Sequence, residues 1–274
     1  MEIMIHDRLG ALAHPKRLDL FRLLMRRYPD SVAAGEIAEA LAFKPNTTST
    51  YLNALKTAGL IEQSRSGTSL QYTANLPAVR SMFDELLGGC CQNRPDLCLQ
   101  TSETRVRLNP HRIMNALFIC TGNSARSIMA EAILNTEGKG LFRAFSAGTA
   151  PSESPNLNVL ELLRQKGYDT SLLRSKSVDE FTAPDALEMD FVFTVCDHAA
   201  NESCPAWPGQ PMSAHWGLPD PVKAEGTHAQ RQLAFQQAYG LLRNRITAFA
   251  NLPFETLDRI SLQHKVDDIG RMAD

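Results

Sequence analysis

Long apolar runs are missing from this sequence. None of its 274 residues lies in an uninterrupted stretch of about 18 apolar side chains, the length a helix needs to cross a bilayer, so no membrane span and no membrane partner are expected. The opening residues, MEIMIHDRLG, carry acidic side chains and no apolar core with a small-residue cleavage site, which argues against a secretory signal and for the cytoplasm. An excess of either charge is also missing. Against 28 Lys and Arg stand 30 Asp and Glu, and residues 1 to 91 hold ten basic and nine acidic side chains, so bulk charge recruits no polyanion. Any nucleic-acid binding must come from local geometry. Repeats and low-complexity tracts are absent as well. Cysteine is scarce, with six residues in two sets: Cys90, Cys91 and Cys98, then Cys120, Cys196 and Cys204. In a reducing compartment such sets point to catalysis, redox exchange or ligation of a soft element rather than to structural disulfides.

What is present divides in two. The length suits two domains, each burying its own core. HPKRLDLFRLLMRRY, residues 14 to 28, places Leu18, Phe21, Leu24 and Met25 on one helical stripe. AAGEIAEAL predicts a second short helix. KPNTTSTYLNALKTAGLIE opens with Pro45 and a candidate cap at Asn46, sets Thr48, Leu52 and Leu55 on one face, and stops at Gly59. LIEQSRSGTSLQYTA then reads as a β-hairpin, completing a winged helix-turn-helix, mainly α with a β-wing. Residues 75 to 88 form a further helix closed by a Gly-Gly pair. We expect a winged-helix DNA-binding domain over 1–91, a polar linker over 92–112 that includes part of the cysteine cluster, and a second domain over 113–274 ending in a C-terminal helix.

From Met114 the pattern changes to strand-helix alternation: NALFIC, SARSIMAEAILNT, FRAFSAG, PNLNVLELLRQKG, DFVFTVC, then a long helix from His228. This implies an α/β fold with a parallel sheet covered by helices on both faces, whose ligands bind at the C-terminal ends of strands. CTGNSARS, Cys120 to Ser127, lies at such an end. A loop running from a strand into a helix N-terminus turns backbone N–H groups inward and adds the helix dipole, a trap for a tetrahedral oxyanion. Gly122 permits tight curvature, and Asn123 braces the loop. The amides of Ser124 and Ala125 complete the cradle, and Arg126 offers a bidentate fork. The Cys120 thiol is expected to have a depressed pKa there, with Ser127 donating to its sulfur.

The spacing resembles the low-molecular-weight protein tyrosine phosphatases over about residues 114 to 250. The resemblance implies a downstream Asp-Pro pair as general acid, and HWGLPDP offers Asp220 and Pro221. The segment FVFTVCDHAANESCPAWPGQPMSAHWGLPDP resembles the arsenate reductases of the phosphatase-like class. That resemblance implies that Cys120 attacks arsenate, that Cys196 then attacks the Cys120 sulfur and releases arsenite, and that Cys204 carries the disulfide outward to thioredoxin, or to glutathione with glutaredoxin. No catalytic cofactor is called for. The second and third cysteines are eight positions apart here, against seven in thioredoxin-linked members, which leaves the electron donor open. Trp207, His215 and Trp216 share this stretch and read as packing residues or as a cover for the site.

In the first half, LAHPKRLDLFRLL, EIAEAL, TTSTYLNALKTAGLIE and GTSLQY resemble the ArsR/SmtB-type repressors over nearly all of residues 5 to 88. The resemblance implies a homodimer, joined through its terminal helices, that leaves operator DNA on binding a metal or metalloid. On the reader helix, Asn46, Thr47, Ser49, Thr50 and Lys56 are left for bases and phosphates, with Arg65 in the wing touching backbone. Some members carry two cysteines on the preceding helix, where this chain has Ala33 and Gly35. In their place stands CCQNRPDLC, whose Cys90, Cys91 and Cys98 suit a trigonal arsenite site; structural zinc would need a fourth ligand. The two halves together imply an arsenite-responsive repressor fused to an arsenate reductase. A DNA-binding regulator fused to a tyrosine phosphatase, and a pure regulator that binds an oxyanion without chemistry, are the alternatives.

Overall fold

The computed structural model describes residues 3–90, 112–183, 185–202, 207 and 211–272, in two compact units, Met1–Arg107 and Leu108–Asp274. The first unit runs α1 (Ile5–Leu12), α2 (Pro15–Arg27), β1 (Val32–Ala33), α3 (Ala34–Ala40), α4 (Pro45–Thr57), β2 (Ile61–Ser66), β3 (Ser69–Ala74) and α5 (Leu76–Glu85). The strands form an antiparallel sheet in the order β1, β3, β2, with Ile61 opposite Ala74 and Ser66 opposite Ser69 around the Gly67 turn. This is the winged helix-turn-helix that the turn signals imply. Gly59, at φ +69°, ends α4 where a side chain would be strained.

Three details differ from the sequence reading. Helix α2 buries Leu20, Phe21, Leu23, Leu24 and Arg27, whereas Met25 is exposed and Leu18 half-buried. The face turned inward is rotated because it must also seat Arg27, which donates to Glu36 of α3 at 2.5 Å. The cap position of α4 is Lys44 rather than Asn46, since Pro45 already fits the first helical turn without needing an N–H partner. Finally, the backbone does not stop at Gly88-Gly89 but continues as a π-type turn over Leu86–Cys90, after an α5 whose Asn75 side chain accepts from the Ala78 N–H.

The second unit runs β4 (Met114–Cys120), α6 (Arg126–Glu137), β5 (Phe142–Gly148), α7 (Leu157–Gln165), β6 (Phe191–Thr194), α8 (Asp197–Asn201), β7 (Met212–His215), α9 (His228–Ala250) and α10 (Arg259–Gly270). Its sheet is parallel throughout, in the order β5, β4, β6, β7. Every residue of β4 and β6 is buried, as strands covered on both faces must be. Strand β7 lies between DFVFTVC and the long helix from His228, where the sequence pattern shows no strand. Its four residues acquire strand geometry by pairing Phe191 to Met212 through Thr194 to His215 with β6, a non-local contact. Among the described residues no helix is long and apolar enough to cross a membrane.

Aromatic stacking marks the core of this unit. Phe193 lies 4.1 Å from Trp216, 5.2 Å from Phe118 and 5.2 Å from Phe249, centroid to centroid. Trp216 is therefore core and not a cover over the site. Truncation of Phe193 to alanine should cost about 3–5 kcal/mol through lost burial and the cavity left behind. Both tryptophans of the chain, Trp207 and Trp216, lie in this unit, so urea unfolding followed by tryptophan fluorescence reads the loss directly. A loss below about 1 kcal/mol would mean that the stack contributes little beyond filling space.

Candidate active site

The loop between β4 and α6 is shaped by what happens to its carbonyl oxygens. The Thr149 N–H donates to Cys120 O (3.2 Å), Ala150 N–H to Thr121 O (3.0 Å), Ser152 N–H to Gly122 O (2.8 Å) and Asn156 N–H to Ser124 O (2.9 Å). The Ser175 hydroxyl donates to Asn123 O at 2.9 Å, and Met129 N–H to Ala125 O at 2.9 Å. Six successive carbonyls are thus held by donors from outside the loop or from α6. The acceptors being occupied there, the amides remain to serve the centre, as an oxyanion site requires.

The left-handed residue of the loop is Asn123, at φ +43°. Asn123 is fully buried and its side chain compensates the strain. Its Oδ1 accepts from Lys176 N–H at 2.6 Å, and its Nδ2 donates to Ser127 Oγ at 2.9 Å and Ser146 Oγ at 2.8 Å. Gly122 sits where space is tight: a Cβ there would lie 3.1 Å from Ser152 Oγ, so that side chain would have to shift. Gly148 is needed as well, since its Cβ would meet Thr121 O at 2.5 Å. Below Asn123, Ser146 donates to Glu131, which accepts from Lys176 Nζ at 2.9 Å, all in the interior. Sequence reasoning missed Ser146, Glu131 and Lys176, because only the fold brings these distant positions together.

Cys120 Sγ lies 2.9 Å from Ser127 Oγ. Since Asn123 Nδ2 already donates to that oxygen, the hydroxyl proton of Ser127 is available to the sulfur, as expected. The thiol itself differs from expectation. Burial pushes the Cys120 thiol up, ahead of the hydrogen bonds from Ser127 and the charge of Arg126 that pull it down; the neighbouring Cys196 adds to the upward push. A physical reason for the weak pull lies close by: Arg126 Nη2 donates to Asp220 Oδ2 at 2.8 Å, so its charge is largely matched.

Arg126 begins α6 and reaches across to the Asp220 segment. Its Nη1 donates to Leu218 O at 3.1 Å, while its Nε is buried with no protein partner. Asp220 is brought to the site, but as the partner of Arg126, with its other oxygen accepting from Val222 N–H at 3.1 Å. Cys196 is buried and caps α8 instead of ending β6. Its Sγ accepts from Ala199 N–H at 3.4 Å and lies 3.5 Å from Thr121 Oγ1, which places a second thiol beside the loop. Cys204 lies outside the described residues.

On the first unit, Asn46, Ser49, Thr50, Lys56 and Arg65 are exposed and Thr47 half-buried, with Thr48, Leu52 and Leu55 turned inward as expected. Thr50 Oγ1 donates back to Asn46 O at 2.9 Å, and Lys56 Nζ donates to Gln63 of the wing at 2.8 Å. Cys90 is exposed at the end of the π-type turn, while Cys91 and Cys98 lie outside the described residues. The described residues contain no group of three metal-ligating side chains.

The raised Cys120 thiol has a readable consequence. Alkylation of Cys120 by iodoacetamide, followed by peptide mass spectrometry across a pH series, should show a midpoint above that of a free cysteine in the same buffers, so less thiolate at neutral pH. Ser127→Ala removes the hydrogen bond that opposes burial and should move the midpoint further up; a midpoint below free cysteine would contradict the dominance of burial.

The low molecular weight phosphotyrosine protein phosphatase family matches residues 115–262, and a helix-turn-helix domain matches residues 12–64. The arsenate reductase of Halalkalibacterium halodurans is 36% identical over 133 residues, covering 48% of this chain and 92% of that protein. The arsenate reductase of Bacillus subtilis is 34% identical over 133 residues, with the same coverage. A solved arsenate reductase from Archaeoglobus fulgidus aligns at 26% identity and a TM-score of 0.41, covering 50% of this chain and 99% of that one. By the match over residues 115–262, which spans more than half its length, this chain belongs to the low molecular weight phosphotyrosine protein phosphatase family.

Proposed function

We propose that the chain is a bifunctional arsenic-resistance protein: an arsenate reductase of the phosphatase-like class fused to an arsenite-responsive, winged-helix repressor. In this reading residues 1–91 bind operator DNA, 92–112 link, and 113–274 reduce arsenate. The observation that carries the enzymatic half is the second buried thiol, Cys196, 3.5 Å from Thr121 of the oxyanion loop. A phosphatase has no use for it, whereas reduction of arsenic(V) needs two thiols to supply two electrons.

The steps follow from the site. Arsenate dianion enters among the loop amides of Gly122, Asn123, Ser124, Ala125 and Ser127, engages the unpartnered Arg126 Nε, and takes Nη1 and Nη2 away from Leu218 and Asp220. The Cys120 thiol gives up its proton as its sulfur bonds to arsenic; by way of the bound oxyanion that proton reaches Asp220, which delivers it to the departing hydroxyl, and the hydroxyl leaves as water. Cys196 sulfur then attacks Cys120 sulfur. The S–As bonding pair leaves with arsenic, giving arsenite and a Cys120–Cys196 disulfide. Cys204 attacks Cys196, restoring Cys120 as a thiol, and thioredoxin, or glutathione with glutaredoxin, returns the two electrons from outside. This chemistry requires the reducing conditions of the cytoplasm.

For the regulatory half, Asn46, Thr47, Ser49, Thr50, Lys56 and Arg65 form the DNA-facing set, and Cys90 with Cys91 and Cys98 supplies three thiolates for arsenite. The exposed Leu9 of α1 and Phe83 of α5 support a homodimer joined through these terminal helices.

Two measurements test the two halves. Purified full-length protein supplied with thioredoxin, or with glutathione and glutaredoxin, should release arsenite over many turnovers, and Cys196→Ser should abolish this; full multi-turnover reduction by that variant overturns the relay. Turnover of a phosphotyrosine peptide with none of arsenate would favour the phosphatase instead. Arsenite should release the protein from operator DNA, with the response lost when Cys90, Cys91 and Cys98 are replaced by serine; release unaffected by those changes eliminates the trio as sensor.

A further inference from the structure

His215 lies at the end of β7 and is 1% exposed. Its ring nitrogens both have partners: Nδ1 lies 2.8 Å from Thr194 Oγ1 on β6, and Nε2 lies 3.1 Å from Asp197 Oδ1. A carboxylate only accepts, so Nε2 carries a proton toward Asp197, and in the neutral ring Nδ1 accepts from the Thr194 hydroxyl. Asp197 is the first residue of α8, and the residue before it is Cys196, the cap of that helix. A five-residue helix is too short to hold its own start in place.

Space has been reserved for this pair. A Cβ on Gly217 would lie 2.6 Å from His215 Nε2 and 2.7 Å from Asp197 Oδ1, so any larger residue there would push the partners apart. The strand is also braced from behind, since a Cβ on Gly270 of α10 would lie 2.6 Å from His215 O. Trp216, next in the chain, is anchored through Nε1 to Val266 O at 3.0 Å. The histidine is therefore held by the sheet and by α10, and Asp197 is held by the histidine.

We propose that His215 is a positioning residue for Cys196: through Asp197 it fixes the turn that keeps this thiol beside Thr121 and the Cys120 loop. The inference rests on the role given to Cys196 above, but it concerns the formation of the Cys120–Cys196 bond whatever the oxidant. His215 touches neither sulfur. Without the anchor, the start of α8 samples other positions, and the encounter of the two sulfurs becomes rarer while the oxyanion loop, held by its own donors, is undisturbed.

The test uses diamide, which takes up the two electrons and two protons that the thiols lose as their sulfurs join. Full-length protein carrying Cys204→Ser, so that Cys196 has no competing partner in its own segment, is mixed with diamide, quenched, and the Cys120–Cys196 disulfide quantified by peptide mass spectrometry. Asp197→Ala should slow its appearance about tenfold or more, the scale on which misplacing a reacting group acts. Asp197→Asn keeps an acceptor for Nε2 and should restore the rate to within about threefold, a rescue that a merely structural effect would not give. Affinity for inorganic phosphate, a probe of the oxyanion loop, should be the same in all three proteins. An unchanged disulfide rate in Asp197→Ala, a parallel loss of phosphate affinity, or no rescue by Asp197→Asn would each overturn the proposal. If the expected pattern holds while arsenate is not reduced, the assignment of arsenate as oxidant falls and the role of His215 stands.

Discussion

The carbonyl oxygens of residues 120 to 125 point away from the centre of the loop because each has a donor behind it, and those donors come mostly from Thr149 to Asn156 and from Ser175. A peptide group has two polar ends, so satisfying one end on the outside leaves the other for the inside. The oxyanion site is in this sense made by the segment after β5 as much as by CTGNSARS itself. Asn123 closes the arrangement: its positive φ would be costly alone, and its side chain compensates by joining Lys176, Ser146 and Ser127 in one buried set of bonds.

The charges at the site have partners within the protein. Lys176 has Glu131, and Arg126 has Asp220. Burial decides in favour of the Cys120 thiol over the hydrogen bonds from Ser127 and the charge of Arg126. In the proposed reaction an arriving dianion exchanges one partner of Arg126 for another, so the positive charge is never bare in a low-dielectric interior.

The parts legible in the sequence are those that local pattern dictates. Alternating buried strands and helices of the second unit, the Thr48, Leu52 and Leu55 face of α4, the hairpin after it, and the spacing of Cys120, Arg126 and Ser127 all follow from periodicity and from turn chemistry. What was hidden depends on contacts between distant positions. Strand β7 exists because β6 lies beside it; Asn123 holds a positive φ while its buried side chain bonds to Lys176, Ser127 and Ser146; the thiol is raised because the fold buries Cys120. Helix α2 shows the same limit on a small scale, turning to seat Arg27 opposite Glu36.

The pairing of Arg126 with Asp220 also bears on how a turnover ends. An arsenate dianion carries enough charge to win the guanidinium from a carboxylate, but arsenic(III) hydroxide is uncharged at neutral pH and has nothing with which to keep it. In the proposed reaction arsenite, unlike arsenate, brings no charge to compete with Asp220 for Arg126, so the ion pair re-forms as the product leaves.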